Sequence, residues 1–132
     1  MARAVLTIDP TGYPWPAQGG WVVDGHGYWE GECTSFAAWA VRNDRHPQSK
    51  WPDNLGNANQ WSGGAVVGWP RPGDIAQWAA WYHGADSLGH VAYVAAVNAD
   101  GTLIVAEYNW YQFHRFDVRL ITRDAPSRYL RF

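Results

Sequence analysis

Hydrophobic and polar positions divide the chain into four stretches, the last of which is its second half. The first 31 residues mix Gly, Pro and Trp without a helical or alternating period, which predicts an irregular segment. From Thr34 to Asn43 the apolar positions form the stripe of a helix, whose first turn Thr34 or Ser35 can cap. A polar region rich in Pro and Gly follows and is predicted to be mostly loop, with "NANQW" suited to a short helix.

The second half of the chain has the pattern of a sheet. Its short apolar runs, separated by turn residues, are rich in Val, Ile and aromatic residues and predict strands at "DIAQWAAWY", "HVAYVAAV" and "TLIVAEYNW". "RFDVRLI" and "SRYLRF" predict one or two more. The chain is therefore predicted to be a single α+β domain over residues 1–132, with one helix packed against an antiparallel sheet.

Charge and composition exclude several classes of function. With 10 Lys and Arg against 12 Asp and Glu, the chain lacks the basic surface that nucleic-acid binding requires. No apolar run approaches the ~18 residues of a membrane span, and the N-terminus lacks the pattern of a signal peptide. We expect a monomer that binds neither nucleic acid nor a membrane.

Residues 90–110 predict a β-hairpin that brings polar groups together. A two-residue loop pairs Asn98 with Gly101, so residues on opposite strands have numbers that sum to 199. His90 then faces Asn109 directly and Glu107 diagonally, with all three side chains on one side of the sheet. A one-residue slip or a bulge would separate His90 from the other two.

Cys33, the only cysteine, lies where the predicted helix begins. An isolated cysteine is usually a small core residue. At a helix N-terminus, however, the dipole and the free N–H groups favour the thiolate, and the backbone N–H can bind a developing oxyanion. With His90 and a polar orienting group, Cys33 would complete the nucleophile, base and third group of an acyl-transfer site.

Five motifs in unbroken order, from about Tyr28 to Trp110, resemble the CHAP family of cysteine, histidine-dependent amidohydrolases/peptidases. They are "GECTSFAAW", "GNANQW", "PRPGDIAQW", "GHVAYV" and "VAEYNW". The resemblance implies a papain-like fold in which the N-terminal helix carries the nucleophile. It also implies that Cys33 is the nucleophile, His90 the base and Glu107 the residue that orients the imidazole, with Asn109 assisting or sharing that role. Many relatives have Gln before the nucleophile where this chain has Glu32, which puts in doubt an oxyanion-binding role for that side chain.

The same resemblance implies a substrate and a place of action. CHAP domains hydrolyse amide bonds of bacterial peptidoglycan, either between the lactyl group of the glycan and L-alanine or within the stem peptide or cross-bridge, and the sequence does not choose between these. We therefore expect action at the bacterial cell wall. The lack of a signal peptide and of a wall-binding domain favours a phage lysin domain, or the catalytic part of a larger secreted protein.

Two other classes of function remain as alternatives. The ten tryptophans are compatible with a non-catalytic carbohydrate-binding module, although most are predicted to be core and a few, such as Trp51, Trp61 or Trp81, to line a groove. An amidase acting on another small amide is the other alternative. The histidines lack the spacing of a metal hydrolase and no calcium loop is present, so no metal or cofactor is expected.

Overall fold

One helix and six strands form the described part of the protein, which in the computed structural model comprises residues 8–16, 21–45 and 50–132. Short 3₁₀ turns occur at Pro10–Gly12 and Ala58–Gln60, the second within the predicted "NANQW". The regular elements are α1 (Cys33–Asn43), β1 (Ala65–Val67), β2 (Ile75–Trp78), β3 (His90–Val97), β4 (Leu103–Tyr108), β5 (Phe116–Ile121) and β6 (Arg128–Arg131).

The strands form one antiparallel sheet in the order β1-β6-β2-β3-β4-β5. The prediction of an α+β domain with one helix and an antiparallel sheet is confirmed. Strand β1 was not predicted, because three residues between glycines in a loop-like stretch carry too little pattern to indicate a strand. Of the predicted irregular first 31 residues, 1–7 and 17–20 lie outside the described residues.

Both faces of the central strands are covered, and the side chains alternate between two apolar clusters. The first cluster contains the apolar face of α1, including Phe36 and Val41, and the β3 residues Val91 and Tyr93. The second lies on the other face and includes Trp78 and Ala92. Because β3 is buried on both sides, its sequence is continuously apolar after His90 rather than alternating.

Helix α1 begins at Cys33, one residue earlier than predicted. Its N-cap is Glu32, which makes no side-chain capping hydrogen bond, so the prediction that Thr34 or Ser35 caps the helix is wrong. Ser35 is buried, and its hydroxyl donates to Oδ2 of Asp24 at 2.7 Å. The hydroxyl is used in a tertiary contact, which the local sequence does not reveal.

The hairpin between β3 and β4 departs from the predicted register near its turn. Val97 pairs with Leu103, so the numbers there sum to 200 and the loop has one residue more than predicted. An irregularity between Val94 and Ala96 then adds a residue to β3. From Val94 toward the site the sum returns to 199, since Tyr93 pairs with Ala106. The longer loop and the bulge cancel, and His90 and Glu107 remain on the same side.

Within the described ranges, no helix has the length and apolarity needed to cross a membrane.

Candidate active site

A buried hydrogen-bond network holds the loop that leads into Cys33. Asp24 accepts hydrogen bonds from the backbone N–H groups of His26 and Tyr28 at 2.7 and 3.2 Å, and from the Ser35 hydroxyl. Tyr13 donates to Ser35 at 2.7 Å and accepts from the Gly31 N–H at 2.9 Å. The network therefore ties the loop before the cysteine to the first turn of α1.

Cys33 is a buried thiol at the first residue of α1. Burial first, and then the nearby carboxylates of Glu32 and Asp86, raise the pKa of the thiol to about 12 against the opposing effect of the backbone N–H of Val91. The prediction that the helix N-terminus favours a thiolate is therefore wrong for the resting protein. Desolvation of the charged form is the largest cause of this shift.

His90 and Glu107 form a direct, buried contact. Nε2 of His90 lies 2.7 Å from Oε1 of Glu107, and the two residues are 4% and 0% exposed. A carboxylate can only accept, so in the neutral imidazole Nε2 carries the proton and Nδ1 carries the lone pair. Burial, followed by the positive charge of Arg119, lowers the pKa of His90 to about 3. The resting site thus contains a neutral thiol and a neutral imidazole.

Arg119 on β5 is the main site residue that the sequence did not predict. Its Nε donates to Oε2 of Glu107 at 2.7 Å and its Nη2 to Oε1 at 3.1 Å. The guanidinium lies 3.7 Å from the ring centre of Trp110, and the rings of Trp110 and Trp78 pack on His90 at 4.9 and 5.3 Å. Finding Arg119 requires the register of β4 against β5, in which Glu107 pairs with Asp117.

Asp117 adds a second acidic group beside Glu107. One of its carboxylate oxygens is buried without a hydrogen-bond partner among the described residues. Burial first, and then the neighbouring carboxylate of Glu107, raise the pKa of Asp117 to about 7. Near neutral pH, Asp117 therefore exists in both charged and neutral forms.

Asn109, the fourth predicted site residue, lies just beyond β4 with a left-handed backbone, φ 72°. Its side chain does not hydrogen-bond His90 but donates through Nδ2 to Glu32 and accepts from the His114 N–H at 2.6 Å. Nε2 of His114 lies 3.3 Å from the other oxygen of Glu32. Both oxygens of Glu32 are thus engaged, and burial raises the pKa of its carboxyl.

A cavity of about 490 Å³ lies beside these residues. It is lined by Cys33, His90, Asn109, Glu32 and Asp86, together with several aromatic rings. The tryptophans expected to line a groove are placed differently. Trp61 is fully buried core, and the exposed Trp51 and Trp81 lie outside the cavity lining. Trp21, Trp29 and Trp110 line it instead. Across the described residues, no group of three or more His, Cys, Asp or Glu side chains is arranged to hold a metal ion.

Comparison with protein families gives one match that covers most of the site. The family model described as the CHAP domain matches residues 21–109. This range contains Cys33, His90, Glu107 and Asn109, but not Arg119.

A related protein is similar to part of this chain. N-acetylmuramoyl-L-alanine amidase sle1 of Staphylococcus epidermidis is 39% identical over 90 residues, which is 63% of this chain and 25% of that protein. The chain thus spans about a quarter of the length of this relative.

Two solved structures share the fold. The crystal structure of N-acetylmuramoyl-L-alanine amidase from Staphylococcus aureus has a TM-score of 0.68 at 24% identity, over 86% of this chain and 33% of that chain. The crystal structure of Ly7917 with the hydrolyzing product of MDP has a TM-score of 0.55 at 20% identity, over 76% of this chain and 53% of that chain.

Proposed function

The chain belongs to the CHAP domain family, and from that membership we propose that it hydrolyses the amide bond between the lactyl group of a peptidoglycan glycan strand and L-alanine. The observation that carries the proposal is the His90–Glu107 contact at 2.7 Å, in which His90 lines the same cavity as Cys33. The relatives from S. epidermidis and S. aureus are named as N-acetylmuramoyl-L-alanine amidases, and this supports cleavage of the lactyl–alanine bond rather than of a bond within the stem peptide. Such an enzyme acts at the bacterial cell wall.

The first half-reaction forms a thioester on Cys33. Nδ1 of His90 takes the thiol proton as the sulfur attacks the amide carbonyl carbon, and the backbone N–H of Cys33 binds the developing oxyanion. The imidazolium then protonates the departing nitrogen, and the C–N bond breaks. The product that leaves carries the new amino terminus.

Hydrolysis of the thioester restores the enzyme. His90 removes a proton from water, the hydroxide attacks the thioester carbonyl carbon, and the C–S bond breaks with return of the proton to sulfur. In both half-reactions His90 becomes positively charged beside Glu107. The carboxylate, which already accepts from Nε2, stabilises that charge without reorganisation.

The resting charges support proton transfer during attack rather than a preformed ion pair. With the thiol pKa raised and the imidazole pKa lowered, neither group is charged at neutral pH before substrate binds. A cysteine at a helix start and a histidine on a facing strand of an antiparallel sheet also support the papain-like comparison. The origin in a phage lysin stays a prediction.

Incubation with purified cell walls, followed by mass analysis of the released fragments, tests the proposal. We expect new N-terminal alanine without new reducing sugar, no activity for Cys33→Ala or after alkylation, and full activity with a chelator present. New termini within the stem or bridge would replace the amidase assignment by endopeptidase action. Loss of activity with chelator and survival of alkylation would overturn cysteine catalysis.

A further inference from the structure

Three exposed aromatic rings form the outer edge of the active-site cavity. Trp21, Trp29 and Phe113, here called the aromatic rim, all line the cavity that contains Cys33 and His90. Their exposed fractions are 64%, 44% and 59%, although large apolar side chains are more stable when buried. A cluster of exposed rings that continues into a cavity is typical of a ligand-binding surface.

The rim is built from two separate segments of the chain that meet at Trp21. The ring centre of Trp21 lies 5.8 Å from that of Trp29 and 5.7 Å from that of Phe113. Trp29 is held by a β-bridge to Val23, and Phe113 stacks on His114 at 3.8 Å. These contacts orient the rings before any ligand arrives, which lowers the entropic cost of binding.

The charges around the cavity favour a neutral ligand over an anionic one. Among the described residues that line it, Glu32 and Asp86 are acidic, and none is Lys or Arg. A stem peptide carries carboxylates, whereas an N-acetylated sugar is uncharged. A sugar ring also has apolar C–H faces that fit against aromatic faces, with polar groups at its edge that remain in water.

From this geometry we propose that the aromatic rim is a subsite for an N-acetylated sugar of the glycan strand. The inference rests on the proposed function, because the bond to be cut joins glycan to peptide. The sugar next to the scissile bond would lie on Trp21, Trp29 and Phe113 while the amide carbonyl reaches Cys33. The rim therefore contacts the glycan part of the substrate rather than its stem peptide.

Binding of a soluble N-acetylglucosamine tetrasaccharide to the Cys33→Ala protein, measured by titration calorimetry, tests the subsite without turnover. Removing one ring of an aromatic contact is worth about 1 kcal/mol, so Trp21→Ala, Trp29→Ala and Phe113→Ala should each weaken binding about fivefold. The matched control is Trp69→Ala, because Trp69 is 76% exposed but lies outside the cavity lining. It should leave binding unchanged. Circular dichroism of each variant verifies that it is folded.

A kinetic comparison separates a sugar subsite from a peptide subsite. In the protein that retains Cys33, rim variants should raise KM for a muropeptide but not for the corresponding lactoyl peptide, which keeps the amide and lacks the sugar. Equal losses on both substrates, or oligosaccharide binding that the rim substitutions leave unchanged, would overturn the proposal. If the oligosaccharide binds through the rim and no wall amide is cut, the subsite stands and the proposed hydrolysis fails.

Discussion

Replacing Glu107 and Arg119 singly and together separates their structural and catalytic contributions. Glu107→Gln keeps the shape of the side chain and an oxygen that can accept from Nε2 of His90, but removes the negative charge. The guanidinium of Arg119, 13% exposed, then loses the carboxylate that it binds at 2.7 and 3.1 Å. The single substitution therefore leaves a largely buried cation without its partner.

The stability effect follows from that unpaired charge. Breaking a buried ion pair by removing one partner costs about 3–5 kcal/mol, a large part of the roughly 5–15 kcal/mol that stabilises a domain. Adding Arg119→Met removes the charge and places an apolar chain against Trp110, where the guanidinium now stacks at 3.7 Å. Because replacing both partners of a buried pair is often close to neutral, the double variant should recover most of the lost stability.

The effect on turnover should not recover. A hydrogen bond to a charged group contributes about 1.5–3 kcal/mol, so loss of the carboxylate beside the imidazolium should slow turnover about 10- to 150-fold. That charge is missing in both the single and the double variant. We therefore expect the double variant to be stable and slow.

Urea unfolding followed by tryptophan fluorescence gives the stability, and release of wall fragments per folded enzyme gives the turnover. Arg119→Met alone is the control for loss of the cation. A double variant with near wild-type turnover would show that Glu107 acts only by holding the fold. A loss of stability below about 1 kcal/mol in Glu107→Gln would refute the buried ion pair itself.

Three further predictions concern neighbouring features. Asn109→Ala should slow turnover less than Glu107→Gln, because Asn109 hydrogen-bonds Glu32 rather than the imidazole; a near-inactive variant at matched circular dichroism would make the amide the working orienter. Gly89→Ala should destabilise the fold and lower turnover, since φ is 72° and a Cβ would lie 2.8 Å from Cβ of Asn59. Gly101→Ala, at φ 89° in open space, should show only the backbone strain in the same urea assay. The contribution of His90 to stability should fall as the pH drops from 6.5 toward 3, because the unfolded chain gains a proton that folded His90 does not bind. The raised pKa of Asp117 acts in the opposite direction, so the wild type is compared with His90→Gln at each pH. The loss should reach about 2 kcal/mol near pH 5, and this part of the pH dependence should be absent in His90→Gln.

The sequence alone predicted the elements of the fold and nominated the candidate residues of the site. The apolar stripe after Cys33 predicted α1, and the runs of Val, Ile and aromatic residues predicted β2 to β6, because both periodicities are local properties of the chain. The motifs around Cys33 and His90 indicated the family before any contact was visible. The convergence of His90 and Glu107 also followed from hairpin geometry, although the bulge was needed to correct the loop length.

Only the tertiary structure decided the electrostatics of the site and the partners of its polar groups. Arg119 reaches Glu107 from a strand whose register no local pattern specifies, and Asn109 turns toward Glu32 because its backbone is left-handed beyond β4. The thiol pKa was predicted to fall and instead rises, because helix position is visible in the sequence whereas the depth of burial is not. Desolvation depends on what every other segment places around a group, and that information exists only once the chain is folded.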